Sequence, residues 1–266
     1  MTPSTASATS TTPANHDETV DELRDYDLKV IQHRHGYRFS LDPLLLCDFA
    51  SHASALQIMD LGTGCGIIPL ILARRQENCR LVGVEGQETM ADLARQNVAV
   101  NGLAERITIL HEDVVHLKKR FGASTFDLVV ANPPFRKQGT GRLSPRAGRD
   151  LARHESTAGL ADFLAVARYL VRPGGSICFV HHPSRLAEFL ATADTLKLVP
   201  VRLRLVHGAP GREATMFLVE LTKERQRLFR VLPPLIVRGD DSTYTPELRR
   251  IFGQEHDLQT IPKEAR

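Results

Sequence analysis

Asn132-Pro133-Pro134-Phe135 is the stretch of this chain best equipped for chemistry. It follows the apolar run Phe126 to Ala131, which reads as a buried parallel strand. Two prolines cannot continue a central strand, so the chain must turn there. The turn then falls at the carboxyl end of a sheet, where open α/β folds bind ligands. Such a turn offers an amide oxygen on Asn132, a backbone carbonyl and the aromatic face of Phe135. These are the parts needed to grip a planar group bearing an exocyclic NH2. Asn-Pro-Pro alone also serves as a plain strand stop, so a second motif has to carry part of the reading.

That motif is Ile58-Met59-Asp60-Leu61-Gly62-Thr63-Gly64-Cys65-Gly66-Ile67, an apolar strand, a glycine-rich turn and the start of a helix over about Ile67 to Arg75. The glycines let the backbone pass close to a ligand, and the first helical turn directs free N–H groups at it. A dinucleotide fingerprint would need glycine where Ile67 stands, which disfavours a nicotinamide oxidoreductase. The Asp-x-Gly-x-Gly-x-Gly spacing resembles the S-adenosylmethionine loop of class I methyltransferases, with Asp60, Gly62, Gly64 and Gly66 lining the cofactor. A second strand, Arg80 to Glu85, ends in an acid roughly 20 residues past the loop, where a carboxylate can accept from both ribose hydroxyls. A third, Ile107 to Asp113, ends in Asp113, placed to accept from the cofactor's adenine amino group. An acid in that position also caps a following helix.

The elements that must position these groups alternate between strand and helix. Helices are expected at about Glu88–Asn101, Leu160–Val171 and Ser184–Leu196, and strands at Ser176–Val180, Leu198–Val206 and Ala214–Leu221. The last two strands are joined by Gly208-Ala209-Pro210-Gly211 as an antiparallel hairpin. The expectation is a Rossmann-like, doubly wound, mostly parallel seven-stranded α/β sheet with an antiparallel C-terminal strand. Four segments follow: a disordered Thr/Ser-rich extension (1–20), a helical N-terminal cap (21–56), the catalytic domain (57–225) and a C-terminal tail (226–266). Within the cap, Ser40 is placed to cap a helix running from Leu41 to Ala50.

With 266 residues and 42% hydrophobic content the chain can build one well-cored domain, and its net charge of +3 does not by itself point to nucleic acid. The distribution is more telling. Arg136, Lys137, Arg142, Arg146, Arg149 and Arg153 cluster just past Phe135, within a polar loop of about twenty residues. Arg142 and Arg153 are the candidates for phosphate contacts. Arg202, Arg204, Arg212, Lys223, Arg225, Arg227 and Arg230 form a second group, for which a solvated face is an equal alternative. Cys47, Cys65, Cys79 and Cys178 show no metal spacing, so no metal is expected, and they read as apolar fillers in a reducing compartment. The sequence shows neither a signal-peptide pattern nor a run of transmembrane length, which makes the cytoplasm the expected location and excludes a membrane partner.

The glycine loop together with Asn132-Pro133-Pro134-Phe135 resembles the amino-group methyltransferases. Three flanking stretches narrow this. Gln32 and Gly36-Tyr37-Arg38-Phe39-Ser40-Leu41-Asp42-Pro43 ahead of the loop are similar to the bacterial tRNA1(Val) adenine-N6 methyltransferases. So are Gly141-Arg142-Leu143-Ser144-Pro145 with Ala152-Arg153-His154-Glu155, and Pro233-Pro234-Leu235-Ile236-Val237 with Tyr244-Thr245-Pro246-Glu247. The resemblance implies methyl transfer from S-adenosylmethionine to N6 of an adenine, adenine 37 beside the anticodon, by a monomer acting on a tRNA anticodon stem-loop. Asn132, Pro133 and Phe135 would be catalytic, with Asn132 also contacting the cofactor, Pro134 and Phe135 would face the base, and Arg38 and Ser40 would close over the cofactor's methionine end. Guanine N2 in rRNA and protein glutamine N5 present the same amide-like NH2 and remain rival acceptors. A noncatalytic RNA-binding protein is disfavoured by the complete glycine loop and the intact Asn132.

Overall fold

The computed structural model describes residues 18–34, 41–50, 55–133, 158–224 and 227–252. Its centre is a sheet with strand order β10-β8-β9-β7-β6-β3-β4-β5. The strands that carry the proposed chemistry are β3 (Gln57–Leu61), β4 (Arg80–Glu85), β5 (Ile107–His111) and β6 (Phe126–Ala131), all mutually parallel. β7 (Val171–His181) continues parallel beside β6, and β9 (Ala214–Thr222) inserts antiparallel between β7 and β8 (Val199–His207). These seven strands match the expected sheet, including its one reversed strand. The short β10 (Arg230–Val231) and β11 (Leu235–Ile236) extend it along the outer edge of β8, interrupted by Pro233-Pro234, whose rings cannot donate to a ladder.

β6 is buried at every position, which is why its sequence is a continuous apolar run rather than an alternating one. From Leu128 on its alternate residues enter two different cores, with a register shift between Phe126 and Leu128. Leu128 and Val130 join the cluster formed with α1 (Asp42–Ala50), α2 (Ile67–Arg75) and α3 (Glu88–Val100). Phe126, Val129 and Ala131 join the opposite one, built with α5 (Leu160–Leu170) and α6 (Leu186–Thr195). The first core also takes in Leu235 and Val237 of the tail and Leu248 and Ile251 of α7 (Pro246–Ile251). Between β5 and β6 the chain makes a 3-10 turn (Val114–His116) and a four-residue helix, α4 (Leu117–Arg120).

One expected element is corrected. The cap over 21–56 is not helical throughout. It enters as an antiparallel hairpin of β1 (Glu18–Leu23) and β2 (Leu28–His33), and only then becomes α1. Leu28, Val30 and Gln32 are buried while Lys29 faces solvent, the period of two that marks a half-buried strand. Asp27, at φ 48°, makes the left-handed step between them, a conformation an Asp side chain tolerates. Residues 1–17 of the expected disordered extension lie outside the described residues, as does the Ser40 cap.

Candidate active site

Strand register brings the motifs to one level. Leu61 pairs with Val84 on one side and with Ala131 on the other, so Gly62, Glu85 and Asn132 each stand one residue beyond, at the carboxyl ends of three adjacent strands. The strand order turns in opposite directions from β3, which makes this the switch-point crevice of a doubly wound sheet. Asn132 is half-buried and Pro133 buried. Pro134, Phe135, Arg142 and Arg153, like Arg38 and Ser40 on the cofactor side, lie outside the described residues.

The glycine loop owes its shape to three left-handed residues, Gly62 (φ 76°), Gly64 (φ 56°) and Gly66 (φ 85°), where any Cβ would strain the backbone. Among the described residues a Cβ on Gly64 would meet no atom within 4 Å beyond its chain neighbours, whereas one on Gly66 would press on Ala94 at 3.2 Å. The N–H groups of Gly62 and Thr63 both donate to the Val84 carbonyl, at 2.9 and 2.8 Å, lashing the loop to β4. Gly64 N–H donates to Glu85 Oε2 at 2.9 Å, and Gln87 N–H donates to the other Glu85 oxygen at the same distance. Glu85 is therefore fixed by the backbone, and each carboxylate oxygen keeps a lone pair for a further donor.

Asp60 is 1% exposed, and neither of its carboxyl oxygens finds a hydrogen-bond partner among the described residues. Burial pushes this carboxyl up to about 7, with the Glu85 charge adding to the shift. The Thr63 hydroxyl opposes the shift without meeting hydrogen-bond geometry, and is itself buried with no partner among the described residues. Two unpartnered acceptors under a glycine loop are costly unless something supplies donors or positive charge. The ammonium of an amino-acid moiety does both, so the residues present fit S-adenosylmethionine.

Asp113, expected at the adenine, follows β5 and its Oδ1 caps a short 3-10 turn by accepting from Val115 N–H at 3.1 Å. One carboxylate oxygen thus performs the capping alternative. Sequence reasoning missed three residues that shape the loop. Gly83 pairs with Asp60 across β3 and β4, and a Cβ there would meet Thr63 Oγ1 and Ile109 Cδ1 at 2.9 Å. Thr63 is the second, through that contact. The third, Asn97, is fully buried on α3 and donates to the Cys65 carbonyl at 2.9 Å. The only advance signal for Asn97 was its i, i+4 spacing from Asn101, which places both amides on one helix face.

The histidines and the basic groups resolve differently. His181 ends β7, stacks on Phe217 with ring centres 6.0 Å apart, and is pushed down to about 4 by burial and then by Arg185. It is neutral near pH 7. The second basic group is not one patch. Arg204 holds both oxygens of Glu247 at 2.7 and 2.9 Å, Arg202 pairs with Glu220, and Arg227 pairs with Glu224. All four cysteines are buried, with Cys65 pushed up to about 11 by desolvation. Among the described residues no helix is long and apolar enough to cross a membrane, and no group of three or more His, Cys, Asp or Glu side chains could hold a metal.

Sheet order, glycine loop and strand-end acid together define a class I S-adenosylmethionine-dependent methyltransferase. The chain belongs to the methyltransferase small domain family, whose model matches residues 42–193, and within it to the tRNA1(Val) (adenine(37)-N6)-methyltransferases. A protein of that name from Porphyromonas gingivalis is 32% identical over 80% of this chain and 86% of its own length. Another, from Aeromonas hydrophila, is 29% identical over 80% and 87%. Solved structures share the fold. One described as a predicted O-methyltransferase of Agrobacterium tumefaciens superposes with TM-score 0.64 at 23% identity, covering 80% of this chain and 96% of that one. A 16S rRNA N2 methyltransferase of T. thermophilus, in complex with AdoMet and guanosine, gives 0.54 at 20% identity, covering 78% and 50%.

Proposed function

We propose that the chain methylates the exocyclic N6 of adenine 37, next to the anticodon of tRNA1(Val), acting as a monomer on the anticodon stem-loop. The observation that carries this is the placement of Asn132 level with Gly62 and Glu85 at the mouth of the crevice. It sets an amide acceptor beside a loop suited to a sulfonium cofactor, and the substrate for which the relatives are named suggests the acceptor base.

Adenine N6 is a poor nucleophile because its lone pair is delocalised into the ring. Asn132 Oδ1 and the Pro133 carbonyl each accept one N6–H bond, which orients the remaining lone pair and stabilises positive charge as it develops on nitrogen. That interaction strengthens toward the transition state rather than in the ground state. Phe135 stacks on the extruded base, worth roughly 1–3 kcal/mol, and so offsets part of the flipping cost. S-adenosylmethionine, when bound, supplies an activated methyl group. Glu85 and Asp60 hold its ribose and amino-acid ends, Asp113 its adenine, and Arg142 and Arg153 hold RNA phosphates. No strong base is required, because the proton becomes acidic once nitrogen carries the methyl.

The test is nucleoside mass spectrometry of tRNA from a strain lacking the protein, with add-back of the purified chain and cofactor in vitro. Loss of N6-methyladenosine from a single tRNA, restored by add-back, is the expected result. An unchanged tRNA profile with methyl incorporation into rRNA or a release factor would overturn the acceptor assignment.

A further inference from the structure

The inner edge of the N-terminal hairpin is completed by side chains rather than by a strand. Asn97 Oδ1 accepts from Ile31 N–H at 2.6 Å, and Asn97 Nδ2 donates to the Ile31 carbonyl at 3.0 Å. One turn further along α3, Asn101 repeats the pattern on Lys29, with 2.9 Å to its N–H and 2.7 Å to its carbonyl. Residues two apart on a strand expose their N–H and C=O on the same edge, and residues four apart share one helix face, so the two periods match. The two asparagines differ in one respect. The second proton of the Asn97 amide goes to Cys65 O in the glycine loop, while that of Asn101 goes to Asn97 O within its own helix.

We propose that Asn97 is a positioning residue that couples the cofactor loop to the N-terminal hairpin. Its buried amide fixes the Cys65–Gly66 peptide from behind, while Gly66 N–H is held by the Thr63 carbonyl at 2.9 Å. A ligand that binds only this loop conformation stabilises every contact that maintains it, including the amide that also clasps Ile31. By reciprocity, opening the hairpin weakens cofactor binding. Asn101 docks the same strand without touching the loop, so it serves as the internal control.

The experiment uses the full chain and S-adenosylhomocysteine, which binds without reacting. Hydrogen exchange of the Ile31 amide is followed with and without saturating ligand, and ligand Kd is measured calorimetrically for the wild type, Asn97→Ala and Asn101→Ala. The expected results are slower Ile31 exchange on saturation, a Kd weakened about tenfold in Asn97→Ala, as loss of one buried hydrogen bond implies, and a Kd within about twofold in Asn101→Ala. Where Asn97→Ala fails to fold, Asn97→Leu replaces it, since it fills a similar volume without a charge and cannot donate to Cys65. Equal Kd losses in the two alanine variants, an unchanged Kd in the Asn97 variant, or indifferent Ile31 exchange in a wild type that binds ligand would each overturn the coupling. A wild type that binds no ligand would overturn the cofactor assignment itself.

Discussion

Asn132 follows β6 and Asp60 lies on the neighbouring β3, and the proposed mechanism makes opposite demands on them. Asn132 is asked to stabilise charge that develops only during reaction, so Asn132→Ala should lower kcat by about 100- to 1,000-fold while leaving cofactor Kd within about twofold. Parallel loss of both in steady-state and calorimetric assays would count against that role. Asp60 is asked to be ionised when the cofactor is present, yet burial pushes its carboxyl up to about 7. The sign follows from linkage. A carboxyl raised above its ordinary value binds more protons folded than unfolded, so its contribution to stability falls as pH rises from about 4 to about 7 and then levels off. An ammonium ligand favours the ionised form, so cofactor affinity should rise with pH up to and through about 7. Asp60→Asn should flatten both profiles, raising the melting temperature of the ligand-free protein near pH 8 and weakening cofactor binding there. Thermal scans and titrations between pH 5 and pH 8.5 that show wild type and variant in parallel would exclude the charge argument.

At the scale of elements, the glycine loop depends on the strand beside it. Gly83 lies in β4, and a methyl group there would reach Thr63 Oγ1 and Ile109 Cδ1 at 2.9 Å. Gly83→Ala should therefore cost about 1–3 kcal/mol by overpacking and also weaken cofactor binding, because the displaced residue belongs to the loop. Chemical denaturation paired with a cofactor titration measures both, and stability lost with unaltered affinity would show that Thr63 yields without moving the loop. The strands around this site were legible because each is a continuous apolar run ending in Gly, Pro or an acid. The hairpin was not. The hairpin is dense in charge, with Asp21, Glu22, Asp25, Asp27 and Lys29, and what satisfies its free edge is a pair of asparagines 66 and 72 residues away. No local pattern contains that partnership.

At the scale of the whole molecule, basic residues of similar appearance divide into two kinds. Arg202 and Arg204 are tied to Glu220 and Glu247, and Arg202 also stacks on Phe49 at 4.5 Å. They join β8 to α1, β9 and α7. Arg202→Ala should lower the melting temperature, since breaking a buried pair strands its partner, while leaving tRNA affinity nearly unaltered. Arg142→Ala and Arg153→Ala should each reduce the salt dependence of tRNA binding by about one counterion without loss of stability. Filter binding across salt concentrations, set against thermal scans, separates the two, and a reversed pattern would place the RNA on the C-terminal edge instead.

The sequence by itself determined the parallel core, the reversed strand, the glycine loop and the end of β6 before Asn132, because period, proline and glycine act on the residues that carry them. Only the tertiary structure decided that Asp60 is buried with no hydrogen-bond partner among the described residues, that Asp113 caps a turn, that Arg202 and Arg204 are already paired, and that Asn97 joins loop to hairpin. Each of these depends on a partner distant along the chain, and the energy of a buried polar group is set by its neighbours in space.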